Sequence, residues 1–445
     1  MRREGQTAAL AAMLVLIGSS ARAQDAGFAE APAPEPTPTP AAATESVPEA
    51  PAIAEVPVAA HAEGDAADAE DDSVGGTVDD DHDWLDDLSI RVFVDAYVGS
   101  HWTLPNGFQG DHSAQLPQRV YDVTGGPTVS LMALDISYAP QPIGATLGIR
   151  WGTGMPRWLG NFSGLPQGLQ FLQQAFVSWR PISQFQIDFG EFTTPYGAEL
   201  AETWLNVTYT LGSLFQLIQP FYHAGFRGVW TPLPWISITA LAVNGYNNVV
   251  DNNDGKTGGL MVTLNFDPVL ITFGYLGGPE QSPVVGTPGV DGRMRHLVDA
   301  TVSVQVENLR LVLNGDYRTE DMGGTWSSLF YTPTTAAPFD QLPGPGSPQY
   351  QTLWGVSLGA NYRFIPEFGL GARVEYIGQP DIAINRGRDL VTSTLTIDWL
   401  PIRHLVIRLD NRIDWLSAPL FADRTGMGAM QFVASSVLGV VVHSD

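Results

Sequence analysis

From Leu88 onward the chain repeats one pattern: a segment alternating apolar and polar residues, then a connection that is by turns short and long. The clearest example is Val298 to Arg318, VDATVSVQVENLRLVLNGDYR. Val298, Ala300, Val302, Val304 and Val306 alternate with Asp299, Thr301, Ser303 and Gln305; after Glu307-Asn308, Leu309, Leu311 and Leu313 alternate with Arg310, Val312 and Asn314. Successive side chains of a strand point to opposite faces, so each arm has one apolar face, and the tight polar turn makes the arms an antiparallel hairpin. In a soluble sandwich the apolar face would pack on a core. In an outer-membrane barrel it meets lipid, and the polar face lines the lumen.

The number and spacing of such segments decide between the two. They fall near 90–98, 128–139, 143–151, 171–180, 184–190, 223–231, 236–243, 258–266, 269–276, 298–306, 309–318, 351–364, 368–376, 390–400, 404–415 and 429–442, sixteen in all. Short turns occur at Pro140-Gln141-Pro142, Pro181-Ile182, Pro232-Leu233-Pro234, Asp267-Pro268, Glu307-Asn308, Pro366-Glu367 and Pro401-Ile402. The other connections are long and rich in Gly, Pro, Asn and Ser. Outer-membrane barrels sort their connections this way, with short periplasmic turns and long external loops. Aromatic residues near the strand ends, among them Trp151, Trp179, Trp230, Trp235, Phe266, Phe368, Trp399 and Trp415, suit the interfacial girdles of such a barrel. The predicted fold is all-β: a transmembrane antiparallel up-and-down β-barrel of about 16 strands over 88–445, preceded by a disordered tail.

Residues 1–23 read as a secretory signal peptide. Arg2 and Arg3 precede an apolar run from Ala8 to Ile17, and Ala21-Arg22-Ala23 supplies a cleavage site. Residues 24–87 are rich in Pro and Ala, then acidic, with 18 Asp or Glu and no Lys or Arg. Such a composition cannot bury enough apolar surface to offset chain entropy, so a disordered periplasmic tail is expected. Most of the net charge of −25 belongs to this tail; residues 88–445 carry −9 once the +2 of the signal is counted. The chain has no cysteine, which excludes disulfides, thiolate metal sites and lipoprotein acylation.

Catalytic and cofactor chemistry find no foothold. Gly355-Val356-Ser357-Leu358-Gly359 matches G-x-S-x-G, but its serine sits in mid-strand and not on the strand-to-helix turn a nucleophile elbow needs. Asp251-Asn252-Asn253-Asp254-Gly255 has the composition of a calcium loop without the spacing. No metal centre, cofactor or enzymatic activity is expected. No basic patch suits nucleic acid.

What recurs instead is charge on the polar face. Arg91, Arg150, Arg227, Arg310, Arg318, Arg373, Arg408 and Arg412 share the inward parity with Asp95, Asp135, Asp188, Asp299, Asp316, Glu375, Asp398 and Asp410. A charged residue on the lipid face at mid-depth costs ~2–4 kcal/mol, so these residues are expected to line an aqueous lumen, which a barrel of this size is wide enough to contain. The segment 191–222 mixes Phe192, Tyr196, Trp204, Leu211, Phe215 and Leu217 with polar residues. It is expected to fold inward as a constriction loop carrying Glu191, Glu199 and Glu202, and no Lys or Arg lies between Glu191 and Tyr222. A weak preference for cations follows.

Three motifs carry a family resemblance: Gly190-Glu191-Phe192-Thr193-Thr194-Pro195-Tyr196-Gly197-Ala198-Glu199, then Pro220 followed by His223, Gly225 and Arg227, then Asn244-Gly245-Tyr246-Asn247-Asn248. In order and spacing the chain resembles the OmpL-like β-barrel porins of Gram-negative outer membranes over about 88–445. The resemblance implies a pore for small hydrophilic solutes or ions in the outer membrane, and no catalytic residues. It leaves a single barrel and a homotrimer open. Two features lie outside the family pattern: the acidic Pro-rich tail, and a last strand that closes on Val440-Val441-Val442-His443-Ser444-Asp445, where many such barrels end on an aromatic residue.

Overall fold

A computed structural model describes residues 87–103, 126–154, 171–280, 292–321, 350–378, 389–419, 421–422 and 429–444. The predicted signal peptide and all but the last residue of the predicted tail lie outside these residues.

The strands are β1 (Leu88–His101), β2 (Thr128–Tyr138), β3 (Ile143–Trp151), β4 (Leu172–Ile182), β5 (Phe185–Thr193), β6 (Tyr222–Leu233), β7 (Ile236–Val243), β8 (Thr257–Phe266), β9 (Val269–Pro279), β10 (Met294–Val306), β11 (Leu309–Asp321), β12 (Tyr350–Ile365), β13 (Phe368–Gly378), β14 (Leu390–Ile402), β15 (Leu405–Leu416), β16 (Phe421–Ala422), β17 (Ala429–Met430) and β18 (Phe432–His443). Each of β1 to β15 pairs antiparallel with its sequence neighbour, and β18 joins β15 to β1. That closes an up-and-down barrel of 16 strands, as the alternation predicts; β16 and β17 form a separate two-residue ladder. Full closure leaves no sheet edge in the hydrocarbon, where an unpaired backbone group would cost several kcal/mol.

The faces are inverted relative to a soluble protein. In the β10–β11 hairpin, Val298, Leu313 and Tyr317 are 50%, 44% and 48% exposed, whereas Asp299 and Asp316 are 0% and 5%. The aromatic residues expected at the strand ends, Trp179, Trp230, Phe266, Phe368 and Trp399 among them, are also on the outside. An apolar exterior and a charged interior cannot be a solvated sandwich. This outer surface meets lipid.

Three short turns sit two or three residues later than their prolines suggest. β4, β6 and β14 each carry Trp-x-Pro near their ends, at Trp179, Trp230 and Trp399. In each the ladder shifts register after the tryptophan and then makes one more pair, Ile182↔Phe185, Leu233↔Ile236 and Ile402↔Leu405. Proline cannot donate to a ladder, so it produces the irregularity, but one more residue pair still forms before the chain reverses.

Candidate pore and its internal loop

Between β5 and β6 the chain does not leave the barrel. Residues 194–221 contain a short 3-10 turn (Thr203–Leu205) and a six-residue helix, α1 (Ser213–Ile218). Their partners lie all around the wall. Tyr209 donates through its hydroxyl to Asp95 on β1 at 2.6 Å, and Tyr196 through its hydroxyl to the Tyr275 carbonyl on β9 at 2.8 Å. Gln219 donates to Asn314 and Asp316 on β11 at 2.7 and 2.6 Å. The N–H groups of Tyr209 and Thr210 donate to Asp410 on β15, both at 3.1 Å. In a closed barrel one segment can reach β1, β9, β11 and β15 only from inside. Its apolar side chains find inward-facing partners: Tyr209, Leu211 and Phe215 cluster with Phe93, Leu131 and Val437, and Tyr196, Leu214 and Ile218 with Leu276, Leu353 and Ile377.

Wall charges hold this loop. Arg408 pairs with Asp398 at 2.7 Å and donates to the carbonyls of Thr203, Asn206 and Val207 at 2.5, 3.0 and 3.2 Å. Arg412 donates to the Leu211 carbonyl at 2.6 Å and the Ser213 hydroxyl at 2.8 Å, and Arg310 to the Leu205 carbonyl at 2.6 Å. Glu375 accepts the N–H groups of Ser213 and Leu214 at 3.0 and 3.1 Å, at the start of α1, where the helix leaves its first N–H groups unpaired. Arg373 binds both Glu375 and Glu199. Glu202 sits between Arg150 (2.9 Å) and Arg91 (3.4 Å), and both arginines also grip Asp135. Asp188 and Arg227 pair at 2.7 Å beneath the Phe176 and Phe192 rings. Asp299 faces Asp316 in the β10–β11 register.

All the strand residues assigned inward by parity are therefore on the inner face, but few are free to meet solute. Most are bound to one another or to the loop. Glu191 differs from expectation: it belongs to the wall strand β5, not to the loop. Its register partners are Ala175 and Ala224, it is 5% exposed, and its carboxylate oxygens find no hydrogen-bond partner among the described residues. Glu199 and Glu202 do lie on the loop. Burial holds the Glu199 carboxyl above the usual carboxylate range, opposed by Arg373 and by the Gly212 N–H.

Three further charged residues are buried in ion pairs of the wall, Arg295, Glu320 and Asp414. Arg295 donates to Glu320 at 2.8 and 2.7 Å on extensions of β10 and β11 beyond membrane-crossing length, and Asp414 pairs with Arg412 at 2.9 Å. Asp414 continues the parity of Asp410 and Arg412 and was legible by that rule alone.

Beside the loop, against β11, β12 and β13, a small pocket is lined by Glu199, Arg310, Asn314, Ser357, Arg373 and Glu375, with Val207, Leu214 and Phe215 on the loop side. Arg373 bridges the two acids, so the lining is charged but largely paired.

Residues 87–441 match the family described as putative beta-barrel porin-2, OmpL-like. Among solved structures, outer-membrane expressed OmpT of Vibrio cholerae superposes with a TM-score of 0.50 at 10% identity, covering 80% of this chain and 97% of that one. The outer membrane channel DcaP of Acinetobacter baumannii gives 0.50 at 11% identity, over 80% and 97%. At such identities the likeness is one of fold. No curated protein matches the chain.

Proposed function

Since the chain belongs to the OmpL-like beta-barrel porin family, we propose that it lets small hydrophilic solutes and ions diffuse passively across a Gram-negative outer membrane, with a weak preference for cations. Family and fold point to an outer-membrane channel and not to an enzyme. The observation that carries the diffusion reading is the charge-lined pocket beside the internal loop, in a barrel whose interior is polar and whose exterior is apolar. The charged residues of the wall, from Arg91 and Asp95 to Asp410 and Arg412, act in this reading mainly by setting the loop's position. Glu199, Arg310, Arg373 and Glu375 are the groups that a passing ion meets.

Cation preference rests on the −9 carried by residues 88–445 and on Glu199 and Glu202 in a loop without Lys or Arg. Arg373 on Glu199, and Arg91 with Arg150 on Glu202, keep it weak. The Debye length is ~10 Å at 0.1 M salt and ~3 Å at 1 M, so the preference fades as salt rises. A reversal potential across a low-salt KCl gradient measures it. The double variant Glu199→Gln/Glu202→Gln should lose it, and an anion preference in the unaltered protein would show that the arginines govern the pore.

The same measurement has a pH dependence. Burial raises Glu199, so it takes up its proton at a higher pH than an exposed glutamate. As pH falls, the pore loses negative charge first and the reversal potential moves toward anions. In Glu199→Gln that early part of the shift should be missing.

The tail supports a second reading, an anchoring barrel whose tail at the periplasmic end engages cell wall or a partner. Its composition gives the barrel nothing to pack against. Removing residues 25–84 while keeping the signal should leave a membrane-inserted barrel that is heat-modifiable on gels and conducts as before; failure to insert would give the tail a part in assembly.

A further inference from the structure

Among the described residues six buried side-chain oxygens have no hydrogen-bond partner: Glu191 Oε1 and Oε2 and Gln173 Oε1 lie apart, and the other three fall together. Asp299 Oδ1, Asp316 Oδ1 and Gln219 Oε1 have no hydrogen-bond partner, although the three residues are 0%, 5% and 1% exposed. They belong to one place. Asp299 and Asp316 are directly opposed in the β10–β11 ladder, with their carboxyls in hydrogen-bonding reach of each other. Gln219, immediately after α1, donates its amide N–H to Asp316 Oδ2 at 2.6 Å, so its side chain belongs to the same cluster. Gly197 closes the ring: its backbone N–H bonds Asp299, and a Cβ at that position would lie 2.1 Å from Gln219 Oε1. Gly197 also has φ of +92°, so glycine is required there twice over.

The charge balance around these oxygens is unusual. Like charges directly opposite on a ladder repel, and a buried carboxylate needs a counter-charge. Arg295 is committed to Glu320 at 2.7 Å, and Arg318, over the Tyr246 ring at 5.9 Å, also lends its charge to Asp316, which leaves one positive charge against two carboxylates. Asn314 donates to Asp299 Oδ2 at 2.9 Å, which leaves Oδ1 untouched. Two other acidic groups near the described loops are spent. Asp251 binds Lys256 and the Asn253 N–H, and Glu280 binds the Tyr246 N–H and the Thr257 hydroxyl. A single proton could bridge the two aspartates but would leave Gln219 Oε1 bare. One cation satisfies all three oxygens.

We propose that Asp299, Asp316 and Gln219 bind a divalent cation of the oxygen-seeking class, calcium being the probe of choice, and that this ion fastens the end of the internal loop to β10 and β11. The donors are all oxygens, which suits calcium or magnesium over softer metals, and two carboxylates balance a double charge. With only three protein oxygens the affinity belongs to the weak end of calcium sites, half-saturating at roughly 10⁻⁴–10⁻³ M. The inference does not depend on the channel reading, because binding is measured without current. Calcium chloride is titrated into the chelator-treated, detergent-solubilised full chain, with folding checked by heat-modifiable migration. The unaltered protein should bind one ion per barrel. Asp316→Asn and Gly197→Ala should each weaken binding at least about tenfold, a tenfold change being 1.4 kcal/mol. The second removes no ligand, so it stands in if the first does not fold. Asp251→Asn should leave binding unchanged. No saturable binding by the unaltered protein overturns the proposal and leaves the aspartates a shared proton. Undiminished binding in both site variants overturns it as well, as does binding lost only in Asp251→Asn, which would move the ion to the outer loop.

Discussion

A chain lacking residues 201–216, closed by a short Gly-Ser link, is expected to conduct several-fold more current per channel than the intact protein while remaining a folded barrel. The loop fills much of the interior: Tyr209, Leu211, Leu214, Phe215 and Leu217 are all buried among wall side chains from strands on opposite sides. A barrel of 16 strands without an inserted segment leaves an aqueous channel. Folding should survive because the ladder is continuous without the loop and the wall charges keep partners of their own. Asp398 keeps Arg408, Asp414 keeps Arg412, Asp135 keeps Arg91 and Arg150, and Glu375 keeps Arg373. Groups that lose a loop partner, such as Asp410, would face water in the widened lumen and be solvated there. Single-channel recording in planar bilayers reads the outcome. Unchanged conductance from a properly inserted, heat-modifiable variant would mean that current does not pass beside this loop, and the constriction reading would fail.

The barrel was legible in the sequence because its two determinants are local. Strand parity is read residue by residue, and loop lengths are read directly; together they led to the observed strand order, including the pairing of 298–306 with 309–318. The inner face was legible for the same reason, since a charge within an alternating segment has only one tolerable side. What could not be read is how those charges are spent. Arg408 and Asp398 share parity with many residues, and nothing local shows that Arg408 would also take three carbonyls some 200 positions earlier in the chain. Glu191 adjoins the loop in sequence, but the strand runs to Thr193, two residues further, and makes Glu191 part of the wall. Arg295 and Glu320 lie where β10 and β11 extend beyond the length a membrane requires. Gln219 looks like any loop glutamine until the fold sets it against Asp316.

Arg408→Met is expected to cost the barrel stability on the order of 3 kcal/mol and to make the open channel noisy. The guanidinium is 2% exposed and holds two structures at once, Asp398 on the neighbouring strand and the carbonyls of Thr203, Asn206 and Val207 in the loop. Removing one partner of a buried ion pair costs roughly 3–5 kcal/mol because the other charge stays behind; here Asn361 still donates to Asp398 at 2.8 Å and lumen water can enter, so the lower end applies. The noise has a separate origin. With the three carbonyls released, the 3-10 turn is left to Arg310 on the Leu205 carbonyl and Asp95 on the Thr203 hydroxyl, with Glu202 held by Arg150 just before it. Arg408→Lys should fall between, since an ammonium keeps the charge but cannot span a carboxylate and three carbonyls as a planar fork does. The decisive control is the next residue. Leu409 is on the outer face at 39% exposed, and Leu409→Arg should cost a comparable ~2–4 kcal/mol by placing charge in lipid, yet leave the loop and the current trace quiet. Denaturant midpoints give the stability of both variants, and current variance at fixed voltage separates them. If Arg408→Met lowers the midpoint with no added variance, the loop is held by its other tethers and the arginine serves the wall alone.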